Sequence, residues 1–329
     1  MKRRECIAGL AGLGLSAMGP TLAQPRKSDI DYPTQTVKLI APFPPGGTVD
    51  ILSRAIGQQM ALMGLGAGVI VENRAGAGGT VGADVAARAP ADGYTVLFAA
   101  AHHAIAQSVY PKLGYDIRRD FAPVGFVGRV NHVLLCTNAL PVTTVRELVT
   151  YLKANPDKVN YGTPGSGTLH HLMAEQFKAS TGTRMAHVPY KGSGQAMVDL
   201  IAGQIQVYFE TMPSALQQIR GGSVRALAVT SRERSASLPL VPTISDAGVP
   251  GFDASSWYGL MVPVRTPQAI VIRLNQVLNA AFQNLEFTAR WAALGAEPGG
   301  GTPDELGKLM AAEVDRWALF SKAANIKVE

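Results

Sequence analysis

Cysteine is nearly absent: the 329 residues hold two, Cys6 and Cys136. Cys6 lies in an N-terminal stretch with the marks of a leader, so the remaining chain keeps one thiol. That excludes an internal disulfide and a cysteine-held zinc or iron–sulfur centre, and no cofactor is expected. Charge is sparse as well. Charged residues make up 16% against 47% hydrophobic ones, which excludes a disordered chain and suits a compact globular protein. No block of Lys and Arg stands out, which argues against nucleic acid as a partner. Beyond the N-terminus there is no apolar run long enough to span a bilayer. Catalytic machinery is missing too. A serine hydrolase elbow needs G-x-S-x-G, and no serine has glycine at both of those flanking positions. No Cys nucleophile stands in an evident His context, so an enzyme is not expected.

The N-terminus has a basic start, Met1-Lys-Arg-Arg-Glu, an apolar run from Cys6 to Met18, and small residues at Thr21-Leu-Ala23. This is the pattern of a signal peptide over residues 1–23, cut before Gln24. Arg3-Arg4 reads either as plain n-region charge or as a twin-arginine export signal. Cys6 stands at the start of the apolar run, where a lipid-anchored cysteine would not be. Removing 1–23 takes away Lys2, Arg3 and Arg4 against Glu5, lowering the formal charge from +6 to +4. A mild positive bias is compatible with an anionic ligand.

What the chain does have is glycine, 35 residues of it, gathered into turns between strands and helices. The first turn is Ala41-Pro-Phe-Pro-Pro-Gly-Gly-Thr-Val-Asp50, between a strand at Val37–Ile40 and a helix from Ile51. A helix start leaves backbone N–H groups uncovered and carries the positive end of the helix dipole, which together make an anion seat. Phe43, Pro45, Gly46, Gly47, Thr48 and Asp50 are the candidates here. An ordinary strand-to-helix turn would use the same residues. The second turn, Glu72–Gly82, follows a strand at Gly68–Val71, and its glycines do not meet the G-x-G-x-x-G spacing of a dinucleotide site. Tyr94–Phe98 reads as a third, buried strand, so the order β-α-β-α-β argues for a doubly wound α/β domain. His102 and His103 follow, at the strand end where such folds place ligands. Read as strand neighbours they point to opposite faces, which suits contact with a ligand by one of them better than a shared metal.

Val124–Arg129 and His132–Cys136 read as strands entering a second domain, and Thr144-x-x-Glu147 as a capping box. Gly162-Thr-Pro-Gly-Ser-Gly-Thr168 is a third glycine-rich turn, with Ser166, Gly167 and Thr168 as candidates. His187-Val-Pro-Tyr-Lys-Gly-Ser-Gly-Gln-Ala196 is a fourth, with Tyr190, Lys191 and Gly192. The strand Gln206–Glu210 presents Glu210, Thr211 and Met212. Ser223–Thr230 is a strand that returns the chain to the first domain, and Thr266-Pro267 and Thr302-Pro303-x-Glu305 start two terminal helices. Two glycine-rich turns in each half imply a cleft lined by helix N-termini from both.

These motifs in this order carry a resemblance. Pro-Phe-Pro-Pro-Gly-Gly-x-x-Asp, Val-Glu-Asn-Arg-Ala-Gly-Ala-Gly-Gly, Ala-Asp-Gly-Tyr-Thr-Val-Leu and His187–Ala196 are similar to successive landmarks of the Bug-type receptors of tripartite tricarboxylate transporters. Leu238–Gly248 and Gly251–Leu260 extend the resemblance, which covers residues 32–328. Gln107 stands where the family often has Asn. The resemblance implies an α/β two-domain periplasmic-binding-protein clamshell of type II-like form, each domain a mainly parallel sheet flanked by helices. Domain 1 would comprise 32–124 and 231–329, and domain 2 residues 125–230. It implies a periplasmic monomer that captures a small organic acid in the interdomain cleft and passes it to membrane transporter subunits. A liganded receptor signalling to a sensor protein would use the same clamshell. In this frame Phe43 is an apolar wall, Glu210 meets a ligand amine or a hinge partner, and Trp257 walls the cleft or packs in the core or hinge.

Overall fold

The computed structural model describes residues 31–323, so the proposed leader lies outside the described residues. The first half alternates strand and helix as its periodicity dictates: β1 (Val37–Ala41), α1 (Thr48–Leu62), β2 (Val69–Asn73), α2 (Thr80–Ala87), β3 (Thr95–Ala100) and α3 (Ala101–Val109). β4 (Phe121–Thr137) then runs for 17 residues. The second half holds α4 (Val145–Ala154), β5 (Asn160–Thr163), α5 (Leu169–Thr181), β6 (Ala186–Pro189), α6 (Ser193–Ile201), β7 (Val207–Thr211), α7 (Met212–Arg220) and β8 (Val224–Val229). The chain returns through β9 (Ser255–Pro263), α8 (Gln268–Gln283), α9 (Leu285–Ala293), β10 (Ala296–Gly300) and α10 (Pro303–Ala323).

The helix starts read from sequence are used. The Thr144 hydroxyl accepts from Glu147 N–H at 3.1 Å, and the Glu147 carboxylate reaches back to Thr143. Thr302 and Glu305 cap α10 reciprocally, at 2.7 and 3.3 Å. Such pairs satisfy amides that the first helical turn leaves uncovered.

The strands form one sheet ordered β2-β1-β3-β9-β4-β7-β5-β6, with β8 and β10 also paired to β4. The outer strands are parallel, as expected: β2-β1-β3 on one side and β6-β5-β7 on the other. The centre is not. β3 meets β9 antiparallel, and β4 is antiparallel to each of its four neighbours. The two segments expected as separate strands are thus one continuous strand. From Phe121 to Asn131 it pairs with β9, and from His132 to Thr137 with β7 and β8. Register shifts near Gly125 and Gly128 bend it on the way. The sheet curls about this shared strand, and the cleft lies at the ends of the parallel strands on either side. Cys136 is buried on β4.

Candidate functional site

The loop after β1 is held by its own helix. Asp50, in the first turn of α1, accepts from Gly46 N–H at 3.1 Å and from Asn73 Nδ2 at 3.0 Å, and it pairs with Arg54 at 2.8 Å. Asn73 Nδ2 also donates to the Phe43 carbonyl at 2.9 Å. Burial alone would push the Asp50 carboxyl up, but these donors and the Arg54 charge outweigh it and lower its pKa. Gly46 turns the loop at φ +86°, which costs a residue with a Cβ. Asp50 and Gly46 therefore shape the loop and do not line a cavity.

The loop so held presents Phe43 and Pro44 to the other half of the molecule. Three contacts bring the halves together. The Thr48 and Thr211 hydroxyls lie 2.6 Å apart, with Ser214 Oγ 3.2 Å from Thr48. Pro44 lies against Gly192, where a Cβ would approach its ring to 2.9 Å. The Tyr110 hydroxyl donates to the Ser166 carbonyl at 3.0 Å.

Between these contacts lies an inner cavity of about 40 Å³. The first turns of α1 (Thr48, Val49), α3 (His102), α5 (Leu169, His170) and α6 (Ser193) all reach it, as do the cap residues Gly47, Thr168 and Thr211. Helix starts therefore converge on it from both halves, and each adds positive potential. Phe43, Pro44 and Pro164 form a partition, because the same three residues also line an outer groove of about 750 Å³. That groove takes in Gly76–Gly79, Tyr110, Ser166, Tyr190 and Lys191. The second glycine-rich turn thus faces the outer groove and not the inner cavity.

His102 and His103 are not strand neighbours. They sit in the first turn of α3, and their rings lie 4.1 Å apart. His102 stands edge-on to Phe43 at 4.6 Å, and its Nε2 is buried without a partner. Burial, then the neighbouring His103 and His170, hold its pKa well below 6.5, so it is a neutral group at the cavity wall. His103 turns into the core, where Nδ1 accepts from Ala100 N–H at 3.0 Å.

Of the other expected site residues, Phe43, Gly47, Thr48 and Thr168 line the inner cavity, and Ser166, Tyr190 and Lys191 the outer groove. Pro45 lines neither; its neighbour Pro44 lines both. Gly167 donates to His171 Nδ1 at 3.2 Å, and Gly192 packs on Pro44. Met212 is fully buried beside Leu216. Glu210 is fully buried and touches Thr211 and His170. Trp257 does not wall the cleft: its indole donates to Glu313 of α10 at 3.3 Å. Side chains alternate along a strand, so it is Ser256 and Tyr258, on either side of Trp257, that face the cavity. Alternation along β9 was the signal available for these two. His170 and Ser193 stood inside motifs already singled out.

A curled sheet with helices on its faces and a cleft between two halves defines a two-domain periplasmic-binding-protein fold. Solved structures agree. Rpa4515 of R. palustris, solved with adipate, is 38% identical over 90% of this chain and 99% of that one, with a TM-score of 0.88. The periplasmic binding protein BugD is 34% identical over 91% and 100%, with a TM-score of 0.86. MatC of Rhodopseudomonas palustris, with bound malate, is 31% identical over 88% and 99%, with a TM-score of 0.83. Protein BugT of Bordetella pertussis is 39% identical over 97% of this chain and 98% of its own length. Residues 52–326 match the family described as the tripartite tricarboxylate transporter family receptor, and the chain belongs to that family. These are periplasmic binding receptors and not enzymes. No helix among the described residues is long and apolar enough to cross a membrane.

Proposed function

We propose that this chain captures a small carboxylate-containing solute in the periplasm and delivers it to a tripartite tricarboxylate-type membrane transporter. Residues 1–23 direct its export. Residues 32–124 with 231–329 form one lobe and 125–230 the other, moving about the shared strand β4. The observation that carries this reading is the convergence of helix starts from both halves on one cavity. Backbone donors there hold a carboxylate without a dedicated arginine, and closure removes it from water. Adipate in Rpa4515 and malate in MatC support a carboxylate for this chain.

A thermal-unfolding screen of the protein without residues 1–23 tests this. The panel holds C4 to C6 dicarboxylates including malate and adipate, citrate, aromatic acids, amino acids and neutral solutes. A solute at a hundredfold over its dissociation constant is expected to add about 2.7 kcal/mol and raise the melting temperature. A response confined to neutral solutes would overturn the carboxylate reading.

The Thr48–Thr211 contact joins the halves, so its loss should act on closure. Thr48→Val keeps the volume and removes the hydroxyl, and is expected to weaken the best acid by about 1 kcal/mol. The same variant should leave unfolding of the unliganded protein nearly unchanged, because Thr211 keeps Glu210 and Ser214 as partners. Calorimetric titration against unfolding curves separates the two effects.

A further inference from the structure

Behind the second-half wall of the inner cavity lies a cluster of buried polar groups that the loops do not use. His170 lines the cavity from α5, and its Nε2 is 3.6 Å from Glu210 Oε1. At that distance the ring nitrogen and the carboxylate oxygen are neighbours but not hydrogen-bonded. Glu210 does not reach the cavity. Its Oε1 accepts from the Thr211 N–H and hydroxyl, each at 2.6 Å, while Oε2 has no partner. Both His170 nitrogens and the Tyr208 hydroxyl also lack partners. The His132 ring stands edge-on to His170 at 4.9 Å, and its Nε2 lies 3.3 Å from Ser256 Oγ on the cavity wall. Buried polar atoms left open in one place mark where a polar guest completes a network.

Charge decides which guest. Among the described residues, those lining the inner cavity include no Lys or Arg. Glu210 accepts from both the N–H and the hydroxyl of Thr211, a pattern that favours the ionised carboxylate, and its pKa lies below the ordinary value. A solute carboxylate on the cavity side of His170 brings a second negative charge close to the first. Two carboxylates flanking one imidazole in a poorly screened site repel strongly unless the ring between them carries a proton.

We propose that His170 is the second half's direct contact to the solute carboxylate, that Glu210 is the positioning residue aiming it, and that the solute binds together with a proton from solvent, as a carboxylate–imidazolium–carboxylate stack. This rests on the carboxylate reading above and adds that the site selects a true anion over its amide or ester. The titratable groups facing His170 are Glu210 and Tyr208 of β7, His132 of β4 and His102 of α3. Burial keeps both of those histidines well below 6.5, which leaves His170 as the ring between the two carboxylates.

Calorimetric titration with adipate, or with whichever acid of the panel binds more tightly, tests this in two buffers of different ionisation enthalpy. Net proton uptake is expected on binding, with affinity falling as the pH rises. His170→Gln keeps a neutral donor and is expected to lose the uptake and about tenfold in affinity. Glu210→Gln should weaken binding similarly, and Glu210→Asp should recover part of it, since restored charge and not packing is what the stack needs. If Glu210→Gln does not fold, His170→Gln, on the cavity wall, still decides. An acid that binds without proton uptake, and equally well to His170→Gln, overturns the stack and leaves the carboxylate reading standing. If no acid of the panel binds, both fall.

Discussion

Acidification from pH 6.5 to 4 is expected to cost the folded chain about 3 kcal/mol through His103 alone. His103 is fully buried, and burial takes its pKa from 6.5 to about 4. The unfolded chain therefore binds a proton across that window and the folded chain does not. Stability is intact above about pH 6.5, falls as the pH drops, and the loss from this residue is complete near pH 4. His102 and His132, also buried and held well below 6.5, add losses of the same sign. His187, held at about 4 but less completely buried, adds less. Glu210 acts in a second window. Its carboxyl is depressed from 4.5 to about 2, so its contribution is present above 4.5 and is lost as the pH falls towards 2. Denaturant unfolding at stepped pH checks the order. His103→Gln, which can still accept from the Ala100 amide at the start of α3, should flatten the first window. An unchanged slope in that variant would remove the assignment to His103.

Trp291→Ala is expected to destabilise the protein by about 4 kcal/mol while leaving acid binding intact. Trp291 is buried on α9 among Phe282 and Phe287, with ring centroids 5.4 and 5.5 Å away. Its indole N–H donates to the Glu297 carbonyl of β10 at 3.1 Å, and a Cβ on Gly128 of β4 would lie 3.3 Å from the same nitrogen. The ring thus clamps β10 to β4. Truncation leaves both a cavity and a carbonyl without its partner. No residue of α9 lines the inner cavity, so binding should survive wherever the chain remains folded. Trp291→Phe keeps most of the volume and separates the hydrogen bond from the packing, with a smaller loss expected. Urea unfolding measures all three proteins, and a cost for Trp291→Ala under about 1.5 kcal/mol would show that the site refills.

Much of the candidate site was open to reading because its parts are local. A glycine pair after a proline-rich turn and before an amphipathic segment forms a helix start wherever it occurs. Phe43, Gly47, Thr48 and Thr168 were reached that way. The residues misplaced or missed differ in kind. The α3 histidines were read on a strand that ends two residues earlier, so their rings meet instead of diverging. Trp257 stayed open between cleft wall and core, and Ser256 and Tyr258 were missed, because the face of β9 that meets the cleft is fixed by pairing with β3 and β4. Glu210, open in sequence to a ligand amine or a hinge partner, lies behind His170, which the α5 helix places on the cavity wall.

The sequence by itself determined the alternation of strands and helices, the helix starts and the family, because these depend on neighbours within a few residues and on motif order. Tertiary structure alone decided the continuity of β4, the partition by Phe43, Pro44 and Pro164, and the Thr48–Thr211 contact across 163 positions. Those features arise where distant segments pack, and the burial that keeps His102 and His103 neutral, like the donors that keep Glu210 ionised, exists only once they have done so.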